Sequence, residues 1–294
     1  MYINHNQMAL TVANTLTKHY ANLSTSTQRL SSGLRINSAA DDAAGLAIRE
    51  LMRADIAALN QGVRNANDAI SLIQTADGAL GVIDEKLIRM KELAEQAATG
   101  TYDSTQRLMI ESEYQAMASE ITRIANATDF NGIHLLNGNL SSDTHDGSKL
   151  TSTGKLKVHF GSGNDSAEDY YYIQIGNSTA SALGLGNASA QDAGYSISTQ
   201  KAAQEALVAI NDAIVSKDKI RAHLGALQNR LENTISNLTI QAENLQAAES
   251  RISDVDVAHE MTQFVRNQIL TQAAVAMLSQ ANSMPRMALQ LIGG

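Results

Sequence analysis

The sequence predicts a mainly α fold: long antiparallel coiled-coil helices formed by both chain ends, with a small β insert between them. Three observations carry this. Apolar residues recur in steps of three and four at Ile56, Leu59, Val63, Ala66, Ile70, Ile73, Ala76, Leu80, Ile83, Leu87, Met90, Ala94 and Ala97, the pattern of a coiled-coil seam. A counterpart row, Leu224, Leu231, Leu238, Leu245 and Ile252, has a spacing of seven, with Leu227, Ala248 and Val255 at the second seam position. Between the two, ten of the 19 glycines fall in residues 131–194, so the middle is short and irregular. Two distant helices that cannot bury their stripes alone read as antiparallel partners.

The elements follow in order. Residues 3–34 step by threes and fours through Leu10, Leu16, Leu23 and Leu30, and Gly33 ends that helix. Asp41-Asp42 reads as a turn followed by a helix start, where Asp caps the first turn and offsets the dipole. The next helix runs to about Ala98 and is about 75 Å long at 1.5 Å per residue. An extra step of three between Ile73 and Ala76 marks a stammer in its seam. Gly100 breaks it, and a third helix covers 104–127. Leu156, Val158 and Phe160 alternate with polar residues, as do Tyr171, Ile173 and Ile175. With the Gly- and Asn-rich stretch between them they read as a β-hairpin. Helix resumes at 199–255, where Thr234 and Gln241 are polar seam residues that fix register. A last helix covers 257–291, with Leu270, Met277, Met284 and Leu291 seven apart. Pro285 should bend or end it. A nested hairpin pairs 3–34 with 257–291 and 46–98 with 203–255.

Composition excludes several functions. There is no cysteine, so disulfides and cysteine-ligated zinc are out. A net charge of −8 argues against a nucleic-acid surface. No apolar run is long enough for a membrane span, and the first residues do not form a cleavable secretory signal. The 7 histidines are scattered without metal-binding spacing. Gly161-Ser162-Gly163 has no helix behind it to bind phosphate. No catalytic constellation and no cofactor site are expected; the seams themselves are the functional candidate.

The chain ends carry a resemblance. Asn4-His5-Asn6 is followed by Leu30-Ser31-Ser32-Gly33-Leu34-Arg35-Ile36-Asn37-Ser38-Ala39-Ala40-Asp41-Asp42-Ala43-Ala44-Gly45. Then come Asp129-Phe130-Asn131-Gly132, Leu224-Gly225-Ala226-Leu227-Gln228-Asn229-Arg230-Leu231 and Ser250-Arg251-Ile252-Ser253-Asp254-Val255-Asp256. Together they resemble bacterial flagellin, in the family's order and over roughly two thirds of the chain, in a short form without large outer domains.

The resemblance implies a structural subunit that self-assembles into the filament of the bacterial flagellum for motility. It implies export without a cleaved signal peptide and an extracellular location. Residues 1–45 with 256–294 would form an inner, channel-lining coiled-coil domain, packed through Leu10, Leu16, Leu23, Leu30, Leu270, Met277, Met284 and Leu291. Residues 46–138 with 196–255 would form a rod-like domain, whose seam holds the Ile56–Leu87 and Leu224–Ile252 rows. Residues 139–195 would be a variable β insert. Implied partners are other copies in a helical polymer, flagellar cap and hook-junction proteins and an export chaperone. A vertebrate innate immune receptor is a further implied partner, with Arg89, Leu93 and Glu113 at the matching positions and Met90 and Lys91 departing from the recognised pattern. The alternative is a hook–filament junction protein, which shares the terminal helices. A metalloprotease insert is disfavoured because no His-Glu-x-x-His helix is present, and an intracellular scaffold would not account for the matching ends.

Overall fold

Helix α1, Gln7–Ser32, begins where the Asn6 side chain accepts the Ala9 N–H at 3.0 Å. It ends at Gly33, whose φ of 73° lets its own N–H reach Arg29 O. The computed structural model describes residues 6–292 except 149, 151, 167 and 186–194, and the side chains of 286 and 288–292 lie outside the described set. Helix α2 spans Ala43–Ala98 and α3 Ser104–Ala127. Asp42 caps α2 by accepting the Gly45 N–H at 2.9 Å. Asp103 and Gln106 cap α3 reciprocally. Three antiparallel strand pairs follow: β1 Asp129–Phe130 with β2 Ile133–His134, β3 His145–Asp146 with β4 Thr153–Gly154, and β5 Leu156–His159 with β6 Tyr170–Ile173. The β1–β2 turn is Asn131-Gly132, both at positive φ, as a tight hairpin requires. Period-two alternation locates only the third pair; the first two are two residues per strand, too short for a period to register. Helices α4, Gln200–Ser253, and α5, Val257–Ile292, complete the chain. Pro285 does not end α5, which runs on past it.

The chain divides into two compact units, residues 1–56 with 243–294 and residues 57–242. The divisions fall inside α2 and α4, whereas the sequence reading places them in the turns near 45 and 255. Residues 139–185 share the core of the second unit through Leu140, Val158, Ile173, Ile175, Leu183 and Leu185.

In the second unit, Asp84 pairs with Lys217 and Asp77 with Arg221. Going back along α2 goes forward along α4, so the two helices are antiparallel there. One row of buried positions on α2 runs Leu59, Gly62, Ala66, Ala69, Ile73, Ala76, Leu80, Ile83, Leu87, Met90, Ala94, Ala97, an unbroken alternation of three and four, with Leu72 and Leu93 buried beside it. The stammer expected at Ile73–Ala76 is therefore absent. Val63 and Ile70 are half-buried flanks, and Gly62 and Ala69 take the seam positions instead. The physical reason is the hairpin. A Cβ at Gly62 would overlap the carbonyl oxygen of Phe160, so the position facing that strand must be bare. Gly62→Ala is expected to destabilise the unit by about 1–3 kcal/mol, as overpacking does, despite its better helix propensity. Thermal unfolding checks this, and an unchanged or raised midpoint would contradict the close approach.

On α4 the buried row is Ala203, Ala206, Ile210, Ala213, Lys217, Leu224, Leu231, Leu238 and Ala242. Thr234 is half-buried on the seam, but Gln241 is exposed and Ala242 is the buried residue. In the first unit, Asn6 Nδ2 donates to Ala281 O at 2.7 Å and Arg29 lies 3.7 Å from Glu260. Those two ties set α1 antiparallel to α5.

Candidate functional site

Nothing in the described residues assembles catalytic chemistry. No group of three or more His, Asp or Glu there could hold a metal ion, and no helix is long and apolar enough to cross a membrane. The first unit holds a polar cavity of about 480 Å³ whose lining includes Ser26, Arg29, Arg35, Asp256, His259 and Glu260. Part of its charge is paired at long range. Arg29 sits between Asp41 at 3.8 Å and Glu260 at 3.7 Å. Backbone N–H groups of Ser38 and Asn37 hold the Asp41 carboxyl below its usual range. Asp256 caps α5 by accepting the His259 N–H. These contacts shape the turns: Arg35 N donates to Ser253 O, and Val255 N to Gly33 O at 3.0 Å.

The informative feature is what the first unit fails to bury. Among the described residues its only buried apolar side chains are Ile36, Ala274 and Ala281, while the rest of the apolar core belongs to the second unit. The fully buried residues on the face of α5 turned inward are Glu260, Thr271, Ala274 and Ala281, polar or small, with Phe264, Asn267, Leu278 and Met284 half-buried beside them. Other large apolar residues of α5 stay exposed. Met261, Val265 and Ile269, four apart, are 44%, 44% and 59% exposed. Leu270 and Met277, seven apart, are 39% and 58% exposed. On α1, Met8, Leu10 and Tyr20 are exposed as well. Exposed large apolar side chains gathered along one helix mark an interaction site.

The sequence-derived seam residues fall as follows. In the second unit Leu59, Ile73, Leu80, Ile83, Leu87, Leu224, Leu231 and Leu238 are buried, and Val63 and Ile70 half-buried. In the first unit Ile56, Leu245 and Ile252 are half-buried, as are Leu16, Leu23, Leu30 and Met284. Leu10, Leu270 and Met277 lie outside the α1–α5 contact, on open surface. The side chain of Leu291 lies outside the described residues.

Arg89 donates to Glu113 on α3 at 2.9 Å and to Glu92 at 2.9 Å, with both pairs exposed. Leu93 beside them is only 2% exposed and belongs to the core. It cannot form an outer contact without local unfolding.

One cluster escaped the sequence reading. Lys217, 1% exposed, reaches Asp84 at 2.5 Å and Asp218 at 2.7 Å. One turn along, Arg221 makes a forked pair with Asp77 at 2.7 and 3.2 Å. The signal was there: Asp77 and Asp84 lie seven apart beside one seam, and Lys217 and Arg221 four apart beside the other.

Residues 3–141 match the family model described as the bacterial flagellin N-terminal helical region, and residues 207–292 the bacterial flagellin C-terminal helical region. The chain is 40% identical over 292 residues to Flagellin FlaB2 of Treponema pallidum (strain Nichols), covering 99% of this chain and 100% of that one. It is 43% identical over 309 residues to Flagellin of Bacillus subtilis (strain 168), covering 99% and 100%. It is 41% identical over 292 residues to the flagellar filament 33 kDa core protein of Treponema phagedenis, covering 99% and 100%. Among solved structures, a putative flagellar hook-associated protein from Vibrio parahaemolyticus is similar in fold at a TM-score of 0.56 and 16% identity, covering 73% of this chain and 100% of that one. Bacillus cereus flagellin matches at a TM-score of 0.46 and 30% identity, covering 63% and 94%.

Proposed function

The chain belongs to the bacterial flagellin family, and we propose that its copies join through the outward face of α5 and the exposed side of α1. It is a structural subunit of the flagellar filament, which polymerises from copies of itself outside the cell. The observation that carries the proposal is the imbalance within the first unit. Its fully buried α5 residues are small or polar, and among the described residues the large side chains Met261, Val265, Ile269, Leu270 and Met277 stay exposed. Burying an apolar side chain yields roughly 1.5–3 kcal/mol. A face of such residues at the chain ends is therefore a reserve of association energy. A contact between unlike faces does not close on itself and so propagates into a fibre. The second unit, with its own core, supplies a stable body to which the joining helices are attached. In the domain scheme, the inner coiled-coil domain of 1–45 with 256–294 would do the joining and the rod-like domain of 46–138 with 196–255 would be the body.

Seeded elongation of purified subunits, followed by electron microscopy, tests this. Long filaments from subunits and seeds alone support it. Failure to elongate without added partners would point instead to a junction protein. Export without a cleaved signal, handover to a chaperone and contact with cap and hook-junction proteins belong to the same proposal. Catalysis is not part of it.

Receptor recognition is a second, narrower proposal, resting on Arg89 and Glu113 and no longer on Leu93. Both side chains are nearly half exposed, at 47% and 44%, and an exposed ion pair contributes little to stability, about 0–1 kcal/mol. Arg89→Ala and Glu113→Ala are therefore expected to lower innate-receptor signalling while leaving the unfolding midpoint nearly unchanged. Reporter-cell dose curves beside thermal melts decide it. A wild-type subunit silent at every dose would remove the proposal.

A further inference from the structure

The outward face of α5 carries sulfur that the fold leaves open. The chain has 10 methionines and no cysteine, so thioethers are its only readily oxidised sulfur. Met261 and Met277 are 44% and 58% exposed, whereas Met90 in the second-unit core is 0% exposed. Met8, Met109 and Met287 are exposed as well, and a Met261→Leu/Met277→Leu subunit separates their oxidation from that of Met261 and Met277. Met261 and Met277 sit among the large side chains assigned above to subunit joining, and the inference rests on that assignment. We propose that Met261 and Met277 are oxidation sites at which hydrogen peroxide blocks a subunit from joining the filament, and that joining buries and protects them.

The chemistry balances without any other reactant. The thioether sulfur attacks one oxygen of hydrogen peroxide and the O–O bond breaks. An S–O bond forms, and the second oxygen leaves as water after proton transfer. Sulfur gives up the two electrons that the peroxide gains. The product is a polar, chiral sulfoxide in place of a flexible apolar chain. Methionine suits such a face because its unbranched thioether fills irregular gaps. A sulfoxide oxygen must instead shed its water on docking; Val257, Ala258, Phe264 and Val265 around Met261 offer it no side-chain hydrogen-bond donor, and around Met277 only Gln280 does.

The test uses the full chain. Subunits are exposed to hydrogen peroxide, the peroxide is removed with catalase, and oxidised positions are mapped by peptide mass spectrometry beside seeded elongation. Met261 and Met277 should gain oxygen well before Met90, and elongation should fall by about tenfold or more, a change of roughly 1.4 kcal/mol. Treatment with both methionine sulfoxide reductases should restore it. A Met261→Leu/Met277→Leu subunit should elongate before and after peroxide alike. In finished filaments the two positions should resist oxidation.

Full oxidation at both positions with unchanged elongation overturns the inference. So does equal peroxide sensitivity in the leucine variant, or equal oxidation of Met277 in filament and subunit. If the leucine variant does not elongate, reductase rescue of wild-type subunits decides alone. Ile269→Glu or Met277→Glu separates this inference from the assembly reading. Elongation that survives glutamate sinks the assembly reading, whereas elongation blocked by glutamate but not by sulfoxide sinks only the oxidation site.

Discussion

Subunits carrying Ile269→Glu or Met277→Glu should fail to elongate on seeds while melting like the parent chain. In the free subunit these side chains are 59% and 58% exposed. A carboxylate there stays in water, and neither substitution removes a buried contact. Glutamate also has good helix propensity. In the polymer the same position would be covered by another copy. An unpaired carboxylate taken out of water costs several kcal/mol or must be neutralised. A penalty of about 3 kcal/mol lowers the addition constant by more than a hundredfold. Met277→Leu conserves apolar volume and should elongate normally. Sedimentation and electron microscopy report assembly, and circular dichroism reports the fold. Normal filaments from both glutamate variants would mean that the outward face of α5 is not a joining surface.

Helix periods were legible because they are set locally. The bounds expected for the two long helices and for α3 agree with α2, α3 and α4 to within three residues or so, since capping residues and glycines mark them. Asp42 is a case in point, its carboxylate bonding the Gly45 amide as a cap should. What period cannot supply is which of two apolar rows faces which neighbour. On α5 the spacing of Leu270, Met277 and Met284 suggested that they would be the packed row. The chain buries Thr271, Ala274 and Ala281 instead. The α1 side brings Leu16, Leu23 and Leu30, half-buried at seven-residue spacing, so small partners on α5 let the helices approach. Met261, Val265, Ile269, Leu270 and Met277 stay exposed.

The stammer failed for a related reason. Reading Val63 and Ile70 as seam residues follows from their size, yet the seam passes through Gly62 and Ala69. The cause is a strand nearly a hundred residues away: Asn65 donates to His159 O at 2.8 Å, and Phe160 O lies against the bare Gly62. No window of local sequence contains that information. Leu93 shows the same limit on the functional side. Its place in a surface motif suggested an outer contact, but tertiary packing put it in the core.

Asp84→Ala should be the most damaging single change in the second unit's polar cluster, and worse than Lys217→Met. Lys217 is the buried member, with a side chain 2% exposed, while Asp84 and Asp218 keep 29% and 60% of theirs in water. Removing Asp84 leaves an ammonium in the seam with one partner fewer. Breaking a buried pair from that side costs about 3–5 kcal/mol, and Asp218 at 2.7 Å should hold the loss near the lower end, roughly 3 kcal/mol. For a unit of this size that is a fall of about 6–12 °C in the melting midpoint. Lys217→Met removes the charge itself and fills the same space with an unbranched apolar chain. The two aspartates it leaves behind are solvated, so neither becomes an uncompensated buried ion. Replacing a buried charge by a packed apolar side chain is often neutral or stabilising. The double variant Asp84→Ala/Lys217→Met should therefore melt above Asp84→Ala alone, an interaction that a thermodynamic cycle reads directly. Melting curves of the four proteins settle the sign. If Lys217→Met proves as harmful as Asp84→Ala, the pair stabilises the seam through its own attraction, and the cost of leaving the lysine unpaired is not what holds Asp84 in place.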